Sequence, residues 1–144
     1  MTPERIKPEP QPGVFGIYHQ QQPTGKTCVQ TCIAMALGVP VEQVIQQYGE
    51  DPLNQELLCK ALTECGVMWN QFTHGTMLFQ GWYFAVVPSL NHRGLNHQIL
   101  VRWHPGDGLT VLDPAMGDTY KQDGSDLKSW ECLVPFIPGG RLKI

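Results

Sequence analysis

Apolar residues recur with two different periods along this chain, and the change falls near residue 66. Upstream the spacing is helical. Residues 28–37 form an apolar, small-residue run that Gly38 stops ahead of Val39-Pro40, and residues 41–48 form a second stretch closed by Gly49. A third stretch, opened by Asp51-Pro52, runs from about residue 52 to 64, with Leu57, Leu58, Ala61 and Leu62 facing inward and Gly66 closing it. Downstream the period becomes two. Residues 66–72, 82–88, 96–103, 109–112 and 133–137 are expected as strands, with His104-Pro105-Gly106-Asp107-Gly108 as the turn of a hairpin. Helices followed by strands predict an α+β fold in which the first helix packs on a mostly antiparallel sheet.

The Pro-rich polar residues 1–15 are expected to form an extended arm, leaving 16–144 as one domain. A length of 144 residues, with 42% hydrophobic and 16% charged content, fits a single core of ordinary size. The net charge of −3 and the absence of a Lys/Arg cluster argue against nucleic acid as a partner. No apolar run reaches the roughly 20 residues of a membrane span, and the chain opens on a polar segment in place of a secretory signal. Five cysteines, an odd number in a chain of this size, suit a reducing compartment better than a disulfide framework. The expected location is the cytoplasm, or delivery as an effector without a cleavable signal.

Candidate chemistry begins at Cys28. Thr27-Cys28-Val29-Gln30 fits a capping box and makes Cys28 the first residue of its helix. A sulfur there faces unpaired backbone N–H groups and the positive end of the helix dipole, which favours thiolate. Cys32 is the rival sulfur, but it lies a full turn inside the helix and reads as core; Cys65 also reads as core, and Cys59 and Cys132 carry no motif. In the hairpin, pairing residue 97 with 113 about Pro105 sets His97 and Asp113 on one face, their Cβ atoms about 5 Å apart. A carboxylate beside a histidine fixes its tautomer and leaves the other ring nitrogen for the thiol. Gln20, Gln21 and Gln22 precede the helix, and each is a candidate donor to an oxyanion.

Gln22-x5-Cys28, Ala34-Met35, the run from His97 to Val101, and Val111-Leu112-Asp113-Pro114-Ala115-Met116-Gly117 together resemble the papain-like peptidases that remove double-glycine leaders from bacteriocins. These motifs span residues 22–117. The resemblance implies a free-standing papain-like cysteine peptidase domain in which Cys28 is nucleophile, His97 general base and acid, Asp113 the orienting carboxylate and Gln22 the oxyanion donor. It implies a thiol hydrolase acting on a peptide or isopeptide bond of a protein or peptide substrate, with no cofactor. An effector or toxin that deamidates or acyl-transfers, or an inactive binding module, is the alternative on the same fold.

Zinc is disfavoured by spacing, since Cys28-x3-Cys32 lies within a predicted helix and has no matching second pair, and His92 reads as a turn residue. For the substrate, residues 89–94 are expected to border the cleft. Trp69, Trp82, Tyr83, Trp103 and Trp130 are either groove walls or core. Gly139-Gly140 reads as a flexible turn in preference to a self-processing site.

Overall fold

The computed structural model describes residues 17–70, 75–77 and 79–142, so the arm expected over 1–15 lies outside the described residues. Among them three helices precede most of a five-stranded antiparallel sheet: α1 (Cys28–Leu37), α2 (Val41–Tyr48), α3 (Gln55–Glu64), β1 (Met68–Trp69), β2 (Gly81–Pro88), β3 (Asn96–His104), β4 (Gly108–Leu112) and β5 (Cys132–Ile137). The strand order is β1-β5-β2-β3-β4. The fold is α+β, as the change of period predicts.

Local chemistry sets most boundaries. Gly38, at φ 73°, ends α1 and sends its N–H back to the Ala34 carbonyl at 2.8 Å. The third helix starts three residues later than expected, because Asn54 caps it by accepting from the Leu57 amide at 2.8 Å and Pro52 stays in the preceding loop. Leu58, Ala61 and Leu62 are fully buried, whereas Leu57, placed inward by the sequence, is 43% exposed. The inward stripe follows the i, i+3, i+4 rule from Leu58, and Leu57 falls about 100° around the helix from it. The strand expected over 66–72 is also shorter. Gly66 and Val67 return their amides to Thr63 and Leu62 to close α3, Met68 and Trp69 pair with β5, Asn70 adds one N–H bond to the Pro135 carbonyl at 3.0 Å, and residues 71–72 lie outside the described residues.

Each face of the sheet is covered. Phe84, Leu100, Leu112, Val134 and Phe136 point to the helices and pack with Ile33, Met35, Val44 and Leu62. Tyr83, Ala85, Val87, Ile99, Val101 and Leu133 point the other way and are roofed by Tyr120 and Leu127 from the β4–β5 connection. Burying both faces explains why β2 and β5 read as nearly continuous apolar runs and why the centre of β3, from Ile99 to Val101, does the same. Each fully buried large side chain contributes about 1.5–3 kcal/mol relative to exposure. Among the described residues no single helix is long and apolar enough to cross a membrane.

The glycine pair near the end of the chain is packed. Gly139 donates to the Ala36 carbonyl at 3.2 Å, Arg141 to the Cys65 carbonyl at 2.8 Å, and a Cβ on Gly140 would sit 2.5 Å from that same carbonyl. Close approach, with φ of 83° at Gly140, is the reason for glycine here, and the expected flexible turn is corrected. The pair abuts the C-terminal end of α1, about 12 Å of helix from Cys28.

Candidate active site

The β3–β4 hairpin brings His97 and Asp113 together, although not by the expected register. His104 pairs with Gly108 and Leu100 with Leu112, so the turn is centred on Gly106 and not on Pro105. Gly108, at φ 77°, admits the extra length of loop. The slip is two residues, which preserves the face. His97 therefore reaches Asp113 diagonally, just beyond the end of β4, and its Nε2 lies 2.6 Å from Asp113 Oδ1.

Asp113 is held at every oxygen. Its Oδ1 also accepts from the Ala115 amide at 2.9 Å and its Oδ2 from the Tyr120 amide at 2.9 Å. The backbone carbonyl of Asp113 meets His19 Nε2 at 2.6 Å, and the Gln22 amide donates to the Pro114 carbonyl at 2.7 Å. The polar run 19–22 is thus a strap over residues 113–114. A carboxylate fixed this way orients the imidazole and leaves Nδ1 for the other partner.

That partner is Cys28. Because β4 leaves the ladder after Leu112, the edge of β3 beyond Leu100 is open to α1, and the backbone of Gln98 faces the helix. Its N–H approaches the Cys28 sulfur, and its carbonyl accepts from Cys32 Sγ at 3.5 Å. Burial acts to raise the Cys28 thiol, but the hydrogen bond with His97, the Gln98 N–H, the His97 charge and the Val29 N–H together pull it below the ordinary range. Burial acts to lower His97, yet its hydrogen bonds to Asp113 and Cys28, and the charges of both, raise it from 6.5 to about 9. The two shifts favour a thiolate–imidazolium pair. Cys32 goes the opposite way: fully buried, and close to the charges of Cys28 and Asp113, its thiol is raised well above the ordinary value.

Cys28 opens α1 as expected, but the capping box does not form. The turn at residues 24–27 folds Thr24 over Thr27, whose hydroxyl bonds to the Thr24 carbonyl at 3.2 Å and makes no cap contact with the helix. Gln30 is fully buried and reaches away to the Gly49 and Asp51 carbonyls at 3.0 and 2.7 Å, tying α1 to the loop before α3.

The three glutamines separate clearly. Gln20 bridges the α1–α2 connection, donating to the Val39 carbonyl at 2.7 Å and accepting from the Val41 amide at 2.9 Å. Gln21 is exposed. Gln22 is 6% exposed, its Nε2 donates to the Thr24 carbonyl at 2.8 Å, and its Oε1 is buried without a partner.

A groove of about 240 Å³ opens at the sulfur and is lined by Cys28 and His97 together with Lys26, Leu53, Gln55 and Asn96. The loop before α3 is a wall the sequence does not announce; the nearest signal is the Asn54 cap, which fixes where that loop ends. The expected aromatics are elsewhere. Trp82 and Tyr83 are core, Trp69 and Trp103 border cavities at the far end of the sheet, and Trp130 donates to the Gly75 carbonyl at 2.7 Å. Residues 89–94 do not line the groove either. Asn91 turns that loop toward Asp118, accepting from its amide at 2.8 Å and donating to its carbonyl at 2.9 Å. His19 and Tyr120, which build the site through long-range contacts, carry no sequence signal of their own, while Gln98 and Ala115 lie in the motifs of the resemblance but give no sign there of their backbone contacts.

All five cysteines are free. Among the described residues no three His, Cys, Asp or Glu side chains are grouped to hold a metal ion. No protein-family model matches the chain, and no curated protein matches its sequence.

Proposed function

We propose that this domain is a papain-like thiol hydrolase that cleaves a peptide or isopeptide bond in a protein or peptide substrate. The observation that carries the proposal is the contact of 2.6 Å between His97 and a fully bonded Asp113, with the lowered Cys28 thiol on the other side of the ring at a helix N-terminus. In this reading the Cys28 thiolate attacks the carbonyl carbon and the C=O electron pair moves onto oxygen. The Cys28 amide, one of the leading helix amides without an intrahelical acceptor, faces that oxygen. Gln22 is the second donor, its amide nitrogen having one N–H beyond the one given to Thr24. Each such donor contributes up to about 3–4 kcal/mol. As the C–N bond breaks, His97 passes its proton to the leaving amine and a thioester remains. His97 then takes a proton from water, the hydroxide oxygen bonds to the acyl carbon, and the C–S bond breaks to release the acid and the thiolate. No cofactor enters the scheme. A free thiolate nucleophile suits a reducing compartment.

The test is a proteome-derived peptide library incubated with the native protein and with Cys28→Ala, with new termini read by mass spectrometry. New termini made by the native protein alone are expected. Glutamine converted to glutamate without new termini would replace hydrolysis by deamidation, and no change of any kind would overturn the enzymatic reading.

A further inference from the structure

We infer that the groove beside Cys28 selects a peptide segment carrying an acidic side chain within about two residues of the cleaved bond, with Lys26 as the group that recognises it; this rests on the hydrolase reading above. The groove is small. At about 240 Å³ it falls below the roughly 300–1,000 Å³ of sites that enclose a drug-sized ligand, so it holds a side chain or two of an extended chain. Its apolar walls, Val29, Leu53 and Val86, are aliphatic, and among the described residues no Phe, Tyr, Trp or carboxylate lines it, although Glu131 accepts from the lining residue Asn96 at 3.2 Å. Gln55 gives its Nε2 to Gln98 Oε1 at 3.3 Å, which fixes that wall of the groove.

Lys26 supplies the charge. It is exposed on the turn leading into α1, two residues before the nucleophile, and its backbone is fixed by the Lys26 N–H bond to Thr24 Oγ1 at 3.2 Å. The groups that lower the Cys28 thiol are His97 and the backbone of Gln98 and Val29; Lys26 is not one of them. Its ammonium is therefore not taken up in making the thiolate. With a cation at the rim and, among the described residues, no carboxylate on a lining side chain, the Glu131 carboxylate being engaged by Asn96, an acidic substrate side chain is attracted and a basic one repelled.

Because Lys26 is exposed, the preference is modest and screened by salt. An exposed ion pair corresponds to roughly a two- to five-fold effect. The experiment compares cleavage profiles of the same peptide library for the native protein, Lys26→Ala and Lys26→Glu at low and high ionic strength. Folding of the variants is checked by their melting temperatures. The expected result is a roughly two- to five-fold enrichment of Asp and Glu flanking the cut. It should weaken at high salt, vanish in Lys26→Ala and turn toward Lys and Arg in Lys26→Glu. Identical profiles for all three proteins would overturn the role of Lys26 and leave the hydrolase standing. Absence of cleavage by any of them would overturn both.

Discussion

Cys28 and Cys32 are the same chemical group on the same helix, separated by one turn and about 6 Å of rise, and their surroundings push them in opposite directions. Both sulfurs meet the backbone of Gln98: Cys28 faces its N–H, Cys32 its carbonyl. A donor stabilises a thiolate and an acceptor needs a thiol. Cys28 also has the imidazolium of His97 and the leading amides of the helix, while Cys32 is enclosed on all sides near two negative groups. The comparison teaches that ionisation here is set by the partners each sulfur meets: His97 first and then the Gln98 N–H lower Cys28, whereas Cys32 has burial and the negative charges of Cys28 and Asp113 against it. Burial acts on both in the same sense and more strongly on the fully enclosed Cys32, where no donor opposes it.

The sharpest way to break the comparison is to delete each sulfur in turn. Cys28→Ala is expected to lower turnover by at least about 10⁴-fold with the melting temperature little changed, while Cys32→Ala retains turnover. Activity lost with Cys32 and kept without Cys28 would assign the nucleophile to the wrong turn. Next in size is His97→Ala, which removes the proposed general acid and base and should cost about 10²–10⁴-fold in kcat/KM. It should also return the Cys28 thiol toward its ordinary range, read by the pH dependence of alkylation.

A smaller effect is expected from Asp113→Asn. Replacing one acceptor oxygen by an NH₂ leaves the Ala115 or Tyr120 amide without its partner, costing about 1–3 kcal/mol in denaturant unfolding. Loss of the negative charge should also lower His97 from about 9, and with it the alkaline limb of the rate profile. The sign follows from the proton His97 must hold. Below about pH 9 the imidazolium is present to protonate the leaving amine, and above it the rate falls; on the acid side the rate falls where the Cys28 thiolate is protonated. An unmoved alkaline limb in Asp113→Asn would remove the carboxylate from the account. The smallest change is expected from Cys32→Ala in stability alone, about 1–2 kcal/mol for a small cavity under the site, with Cys28 alkylation unaltered.

How far the site could be read in advance depends on how local each cause is. Gly38, Gly49 and Gly66 mark helix ends because the left-handed or extended backbone there needs no neighbour to explain it, and the alternation from 96 to 112 gives the hairpin. The register differs from the expected one by two residues because Pro105 is a strong turn signal while the turn closes at Gly108. The shared face survived because the error was even. The capping box failed on Thr24, a turn partner that competes for the Thr27 hydroxyl. What stayed illegible came from afar: the His19 and Gln22 strap lies more than ninety residues from Asp113 and Pro114 in sequence, and the groove wall at Leu53 depends on Gln30 reaching Asp51. No periodicity records such contacts.

The most direct test of the central claim is the rate of iodoacetamide alkylation between pH 4 and 9, with each modified cysteine located by mass spectrometry, in the native protein and in His97→Ala. Rapid modification confined to Cys28 well below the free-thiol value of about 8.5, slowed in His97→Ala and with Cys32 unmodified, is the predicted result. Cys28 reacting only as an ordinary thiol, or at the same rate with and without His97, would contradict the thiolate–imidazolium pair on which the proposed function rests.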